Sequence, residues 1–184
     1  SGNADVVAYL LSTRAEPIPV GSDKLSPLHV AVQFGYTSIV EELLNHGLDI
    51  AVADRIGRQP MHYAAANGHA AVAKLLVNRR ASLKGNSHGL PPLHLAVQTG
   101  GADMTQLLVD LRADPEAESP QGSQAIHFAS AEGHAPIIQR LVNQRVSTTA
   151  LNRGGAHPMH VAAMKGHAPV VHMLASLRAS TFAE

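Results

Sequence analysis

Five histidines, His29, His62, His94, His127 and His160, recur along the chain at spacings of 33, 32, 33 and 33 residues. Each closes a short tetrapeptide: SPLH (26–29), QPMH (59–62), PPLH (91–94), QAIH (124–127) and HPMH (157–160). A glycine follows each histidine six residues later, as Gly35, Gly68, Gly100, Gly133 and Gly166. Self-similarity at this period specifies a stacked array of small units rather than one globular core.

The clearest unit lies in residues 54–84. Asp54-Arg55-Ile56-Gly57 has the polar start and late glycine of a β-turn. Pro60 suits a first helical position, where its missing N–H is harmless. Met61, Ala64 and Ala65 then give a short helix one apolar face, and Gly68 breaks it. Val72, Ala73, Leu75, Leu76 and Val77 form a second apolar face at helical spacing. Neither face can be buried within one hairpin, so each unit needs a neighbour of its own kind.

The turn–helix–glycine–helix unit, the T-P-L-H-like tetrapeptides and the GHA pieces at 68–70, 133–135 and 166–168 resemble ankyrin repeats. The resemblance covers almost the whole chain. It implies an all-α repeat protein, an ankyrin-repeat α-solenoid with β-turn or hairpin fingers. Fold alone does not name a partner, because such arrays resemble one another through packing.

The repeats are expected at 21–53, 54–85, 86–118, 119–151 and 152–184, preceded by a partial repeat at 1–20 that supplies a second helix only. Their turns are GSDK (21–24), DRIG (54–57), NSHG (86–89), SPQG (119–122) and NRGG (152–155), with Lys24 standing where the others carry glycine. Residues 115–120 read as a loop between the third and fourth repeats. The chain begins in mid-repeat, and its last helix carries Val170, Val171, Met173 and Leu174 without a polar cap. We read it as a piece of a longer array, the other reading being ends covered by another element of the native protein or by a partner.

Composition narrows the function. Hydrophobic residues make up 45% of the chain and aromatic ones only 3%, which suits thin alanine- and leucine-packed layers. A formal net charge of zero argues against a nucleic-acid footprint or a polybasic membrane patch. There is no cysteine, hence no disulfide framework. No apolar run is long enough to span a bilayer and no signal-peptide pattern is present. The expected setting is intracellular and cytoplasmic, or an organelle if a targeting segment was removed.

Two departures from the family pattern stand out. The threonine that the resemblance places before the proline survives as a hydroxyl only in Ser26, with Gln59, Pro91, Gln124 and His157 replacing it. Loss of a good N-cap costs about 0.5–2 kcal/mol, so these repeats are expected to be weaker. The glycine expected after the second helix, where the chain turns left-handed, survives only as Gly47. Arg14, Arg80, Arg112, Arg145 and Arg178 take its place. Either each arginine faces the negative end of its own helix, or they form a ladder for an acidic or phosphorylated partner.

Twelve histidines invite a metal or catalytic reading. The resemblance gives eight of them a structural use, tying loops together: the five above and His69, His134 and His167. His157 and His160 could share a metal, but no third ligand is evident. No HExxH, P-loop, GxSxG or dinucleotide-binding pattern occurs. No cofactor and no enzymatic activity are expected.

What remains is binding of a protein partner, without nucleic acid and without a transmembrane segment. The resemblance locates it on the turn tips and the exposed side of the first helices. The residues at those positions include Asp23, Leu25, Phe34, Arg55, Ile56, Arg58, His88, Leu90, Gln98, Arg153, Met164 and Lys165. Apolar anchors beside arginines have the composition of interface hot spots; scattered surface apolar residues are also ordinary. The chain is thus expected to be a non-catalytic interaction scaffold. A structural subunit of a large assembly and a regulatory segment of a larger protein stay open as alternatives.

Overall fold

A computed structural model describes residues 24–85 and 89–181 of the 184, with side chains to residue 177. These residues fold as helix pairs: α1 (Pro27–Gln33) with α2 (Thr37–Asn45), α3 (Pro60–Ala66) with α4 (Ala70–Asn78), α5 (Pro92–Gln98) with α6 (Ala102–Asp110), α7 (Ala125–Ala131) with α8 (Ala135–Asn143), and α9 (Pro158–Met164) with α10 (Ala168–Thr181). The partial repeat expected at 1–20, with Arg14, lies outside the described residues. Two compact units divide between Pro92 and Leu93.

In the first unit α1 packs on α3 and α2 on α4, so first helices stack on first helices and second on second. Leu28, Val32, Val40 and Leu43 from one pair meet Met61, Ala64, Val72, Ala73 and Leu76 from the next, all at 1% exposure or less. In the second unit α7 packs on α9, and α8 lies between α6 and α10. Leu108, Ile126, Ala129, Ile137, Ile138, Leu141, Ala162, Val170 and Leu174 fill that core. Alanine on the facing helices keeps these layers thin. Burying one such leucine stabilises by roughly 1.5–3 kcal/mol.

Every helix junction uses a left-handed residue. Gly35 (φ 72°) ends α1, and its N–H and that of Tyr36 bond the carbonyls of Val32 and Ala31. Gly68, Gly100 and Gly166 do the same after α3, α5 and α9, and Gly133 takes the same φ after α7, where His134 N–H bonds the Ala129 carbonyl. A β-carbon on Gly133 would also lie 2.7 Å from Nδ1 of His167, so the next pair's histidine fills the space a side chain would need.

The second helices end in the same motif with a different residue. Gly47 (φ 85°) follows α2, but Arg80 (φ 67°), Arg112 (φ 75°) and Arg145 (φ 66°) follow α4, α6 and α8. Arg80 N–H bonds the Val77 carbonyl and Ala81 N–H the Leu76 carbonyl, the paired bonds of a Schellman cap. Left-handed backbone costs an L-residue about 1–2 kcal/mol. Arg178 departs from this pattern: it lies within α10, which runs 14 residues instead of nine and continues through the position where its counterparts turn.

The replaced N-caps also behave unlike the expectation of simple loss. Ser26 alone accepts a bond at its hydroxyl, from His29 N–H at 3.4 Å. Gln59 instead reaches back with its amide to the Ala51 carbonyl at 3.3 Å, and His157 with Nδ1–H to the Thr149 carbonyl at 2.8 Å. These two side chains pin the loop eight residues upstream, whereas Gln124 Oε1 is buried without a partner among the described residues.

Candidate interaction surface

The fingers that carry the candidate residues are built by one polar side chain each. Asp54 accepts bonds from the N–H groups of Ile56 and Arg58 at 2.9 and 2.7 Å, and its second oxygen accepts the Tyr63 hydroxyl at 2.8 Å. Ser119 and Asn152 hold the N–H groups two and four residues on in the same way. Glycine at the fourth turn position, Gly57, Gly122 or Gly155, takes the positive φ; Lys24 adopts it too, at 54°.

Histidines lock three of the fingers to the helix pair before them. His29 Nδ1 accepts the Ser26 N–H at 3.1 Å, while its Nε2–H donates to the Arg58 carbonyl at 3.0 Å. His94 Nε2–H reaches Ser123 at 3.0 Å, and His127 Nε2–H is shared between the carbonyls of Ala150 and Ala156, each at 3.2 Å. Histidines of the GH pairs reach the other way: His69 Nε2–H donates to Gln33 and His167 Nε2–H to Ala131, both at 2.9 Å.

In His29 and His127 one ring nitrogen accepts and the other donates, so these two imidazoles are used in their neutral form. Burial pushes His29, His62 and His127 below the usual histidine pKa, against the smaller upward pull of their backbone hydrogen bonds. His94 is fully enclosed and burial lowers it to about 4. Its Nδ1 has no hydrogen-bond partner, because the residue that donates in the other copies is here Pro91, which has no N–H. His157 and His160 sit with ring centroids 5.2 Å apart.

On the first unit, Phe34 (59% exposed) and Ile56 (56%) are the large apolar side chains presented to solvent from the predicted set. Leu25 and Leu90 are half-buried. Tyr36, not among the predicted residues, is exposed and stacks on Phe34 with ring centroids 5.8 Å apart. Val30 is exposed as well, one helical turn before Phe34 on the same face. That spacing was the available signal for it. Arg55, Arg58 and Lys24 are exposed and form no ion pair among the described residues. The ion pairs found there, Glu41–Arg79 and Asp103–Arg140, and the Glu42–His46 contact all lie on or just beyond second helices.

On the second unit, Gln98, Met164 and Lys165 are exposed, Met164 at 81%. Arg153 is less free than the sequence suggests. Its guanidinium donates to the Pro120 carbonyl at 2.6 Å and its backbone N–H to Gln121 at 3.2 Å, joining two fingers. Asp23 and His88 lie outside the described residues. Of the arginine row, Arg80, Arg112 and Arg145 are exposed.

Stacked helix pairs with turn fingers define a repeat protein that works by contact. A family model of ankyrin repeats in three copies matches residues 28–119 and again 93–183. The chain belongs to the ankyrin-repeat family, whose repeats serve protein–protein interaction. It is similar to the ARF GTPase-activating protein Git of Drosophila melanogaster, 37% identical over 79 residues that cover 42% of this chain and 11% of the relative. The ADP-ribosylation factor GTPase-activating protein AGD2 of Arabidopsis thaliana is 46% identical over 30% of this chain and 7% of its own length. Rabankyrin-5 of Mus musculus is 33% identical over 36% of this chain and 6% of its own. The chain therefore matches only a small part of each. No helix among the described residues is long and apolar enough to cross a membrane.

Proposed function

We propose that this chain is a non-catalytic recognition scaffold that binds a protein partner on its turn tips and first helices. The observation that carries this reading is the set of exposed side chains on the first unit. Phe34 and Tyr36 stack in the open, Ile56 is exposed on its finger, and Arg55 and Arg58 carry charges that no carboxylate among the described residues answers. A solvated tip gains nothing from such side chains, whereas aromatic anchors beside arginines are what interfaces concentrate their energy in. Gln98, Met164 and Lys165 extend the same role to the second unit.

The test is comparative affinity purification from the native source, followed by titration of the recovered partner. Phe34→Ser with Ile56→Ser should weaken binding by at least about tenfold, as loss of hot-spot contacts does, with the melting temperature unchanged. Met164→Ser gives the corresponding test on the second unit. Undiminished binding by a well-folded double variant rejects the surface. Turnover of a substrate by the isolated chain rejects the non-catalytic reading.

A further inference from the structure

The strained Arg80 after α4 lies in a short motif, Arg79-Arg80-Ala81-Ser82, that the proposed binding surface does not use. We propose that Ser82 is a phosphorylation site for a protein kinase that selects serines preceded by arginine.

Ser82 and Arg80 are both exposed. Arg80 holds a left-handed backbone and makes no side-chain hydrogen bond or ion pair among the described residues, so its side chain is open to a kinase carboxylate. Arg79 is engaged, through Asn45 Oδ1 at 2.9 Å and Glu41 Oε1 at 3.2 Å, but on an exposed surface where a competing carboxylate can displace such contacts. Ser82 Oγ accepts the Lys84 N–H at 3.1 Å, and its own proton is donated to no group among the described residues.

The same turn recurs with an anion in place. Asp49 Oδ1 accepts the Ala51 N–H at 2.8 Å and Asp114 Oδ1 the Glu116 N–H at 2.9 Å, each two residues after the left-handed position. A charged oxygen at Ser82 therefore fits a geometry that two sister turns already build around a carboxylate. Ser147 makes the equivalent bond to Thr149 N–H at 3.2 Å but follows a single arginine, Arg145, with Gln144 before it. It is the internal comparison.

In the reaction, Ser82 Oγ attacks the γ-phosphorus of a nucleoside triphosphate held by the kinase. The Oγ–P bond forms as the bond from that phosphorus to the β-phosphate oxygen breaks. The hydroxyl proton passes to the kinase's base and nucleoside diphosphate leaves. The product adds about 1.5–2 negative charges beside Arg80 and Lys84, and the Lys84 N–H becomes donor to an ionised group.

The experiment incubates the full chain, folded, with a purified arginine-directed serine/threonine kinase and ATP, and locates the phosphoryl group by peptide mass spectrometry. Ser82 should be modified at least about tenfold faster than Ser147, the difference one charge-assisted contact makes. Arg80→Gly should slow Ser82 modification by a similar factor without loss of fold, since glycine suits the left-handed backbone better; Arg80→Lys should retain most of the rate. Ser82→Ala should abolish incorporation at that peptide. No modification of Ser82 in the folded chain, modification at Ser147 alone, or an unchanged rate in Arg80→Gly overturns the proposal.

Discussion

Replacing Arg80, Arg112 and Arg145 together by glycine should stabilise the protein, although it removes three charged side chains and adds no contact. Each arginine holds φ between 66° and 75°, where an L-residue pays about 1–2 kcal/mol that glycine does not. Glycine in turn loses about 0.5–1 kcal/mol more chain freedom on folding. The net gain is about 0.5–1 kcal/mol per site. The sites share no partner, so the gains should add to roughly 2 kcal/mol, or about 4–8 °C for a chain of this size. Urea unfolding followed by circular dichroism reads this as a raised midpoint at unchanged slope. Arg178→Gly is the control of opposite sign. That residue lies inside α10, where glycine costs up to about 1 kcal/mol. A triple variant no more stable than the parent, or a stabilised Arg178→Gly, would refute the reasoning.

Acid should weaken the fold in a window set by the histidines. Their lowered pKa values mean that the native state binds fewer protons than the unfolded chain, so their contribution is complete above pH 6.5 and is lost as pH falls towards the folded values, about 4 for His94. His94 alone accounts for about 3 kcal/mol. Urea midpoints should drop across that interval and drop less in His94→Gln; pH-independent stability contradicts the assignment. Gly133→Ala should cost distinctly more than Gly68→Ala, because only the first places a β-carbon against an imidazole, at 2.7 Å from His167, while both share a positive φ. Equal melting temperatures for the two variants would remove the steric part of the argument.

The helix–glycine–helix unit was legible because its signals lie within a few residues of one another and recur. Gly68 ends α3 and Pro60 begins it for reasons that need no tertiary contact. The left-handed arginines were legible by register with Gly47. What escaped depends on which groups the fold brings together, not on residue type. Gln59 and His157 lose a cap hydroxyl yet secure the loop eight residues earlier. Pro91 reads only as a lost cap until His94 Nδ1 is found buried without the backbone N–H that the other copies supply at that position. Arg153 reads as a free tip charge until Pro120, 33 residues away, takes its guanidinium. On the candidate surface, Phe34 and Ile56 were identifiable as apolar residues at tip positions. Tyr36 was not, because it follows the helix-ending glycine at the place where other copies carry a structural histidine.

The histidine ties also give the array a mechanical grain. Within the first unit, His29 reaches forward to Arg58 while His69 reaches back to Gln33, so neighbouring repeats grip each other twice, in opposite senses. Part of a repeat cannot peel away without loosening both grips and opening the apolar layer between the two helix pairs. Stretched from its ends, such a unit should yield in discrete increments rather than creep. Each increment would release one period of 33 residues, or about 110 Å of extended chain.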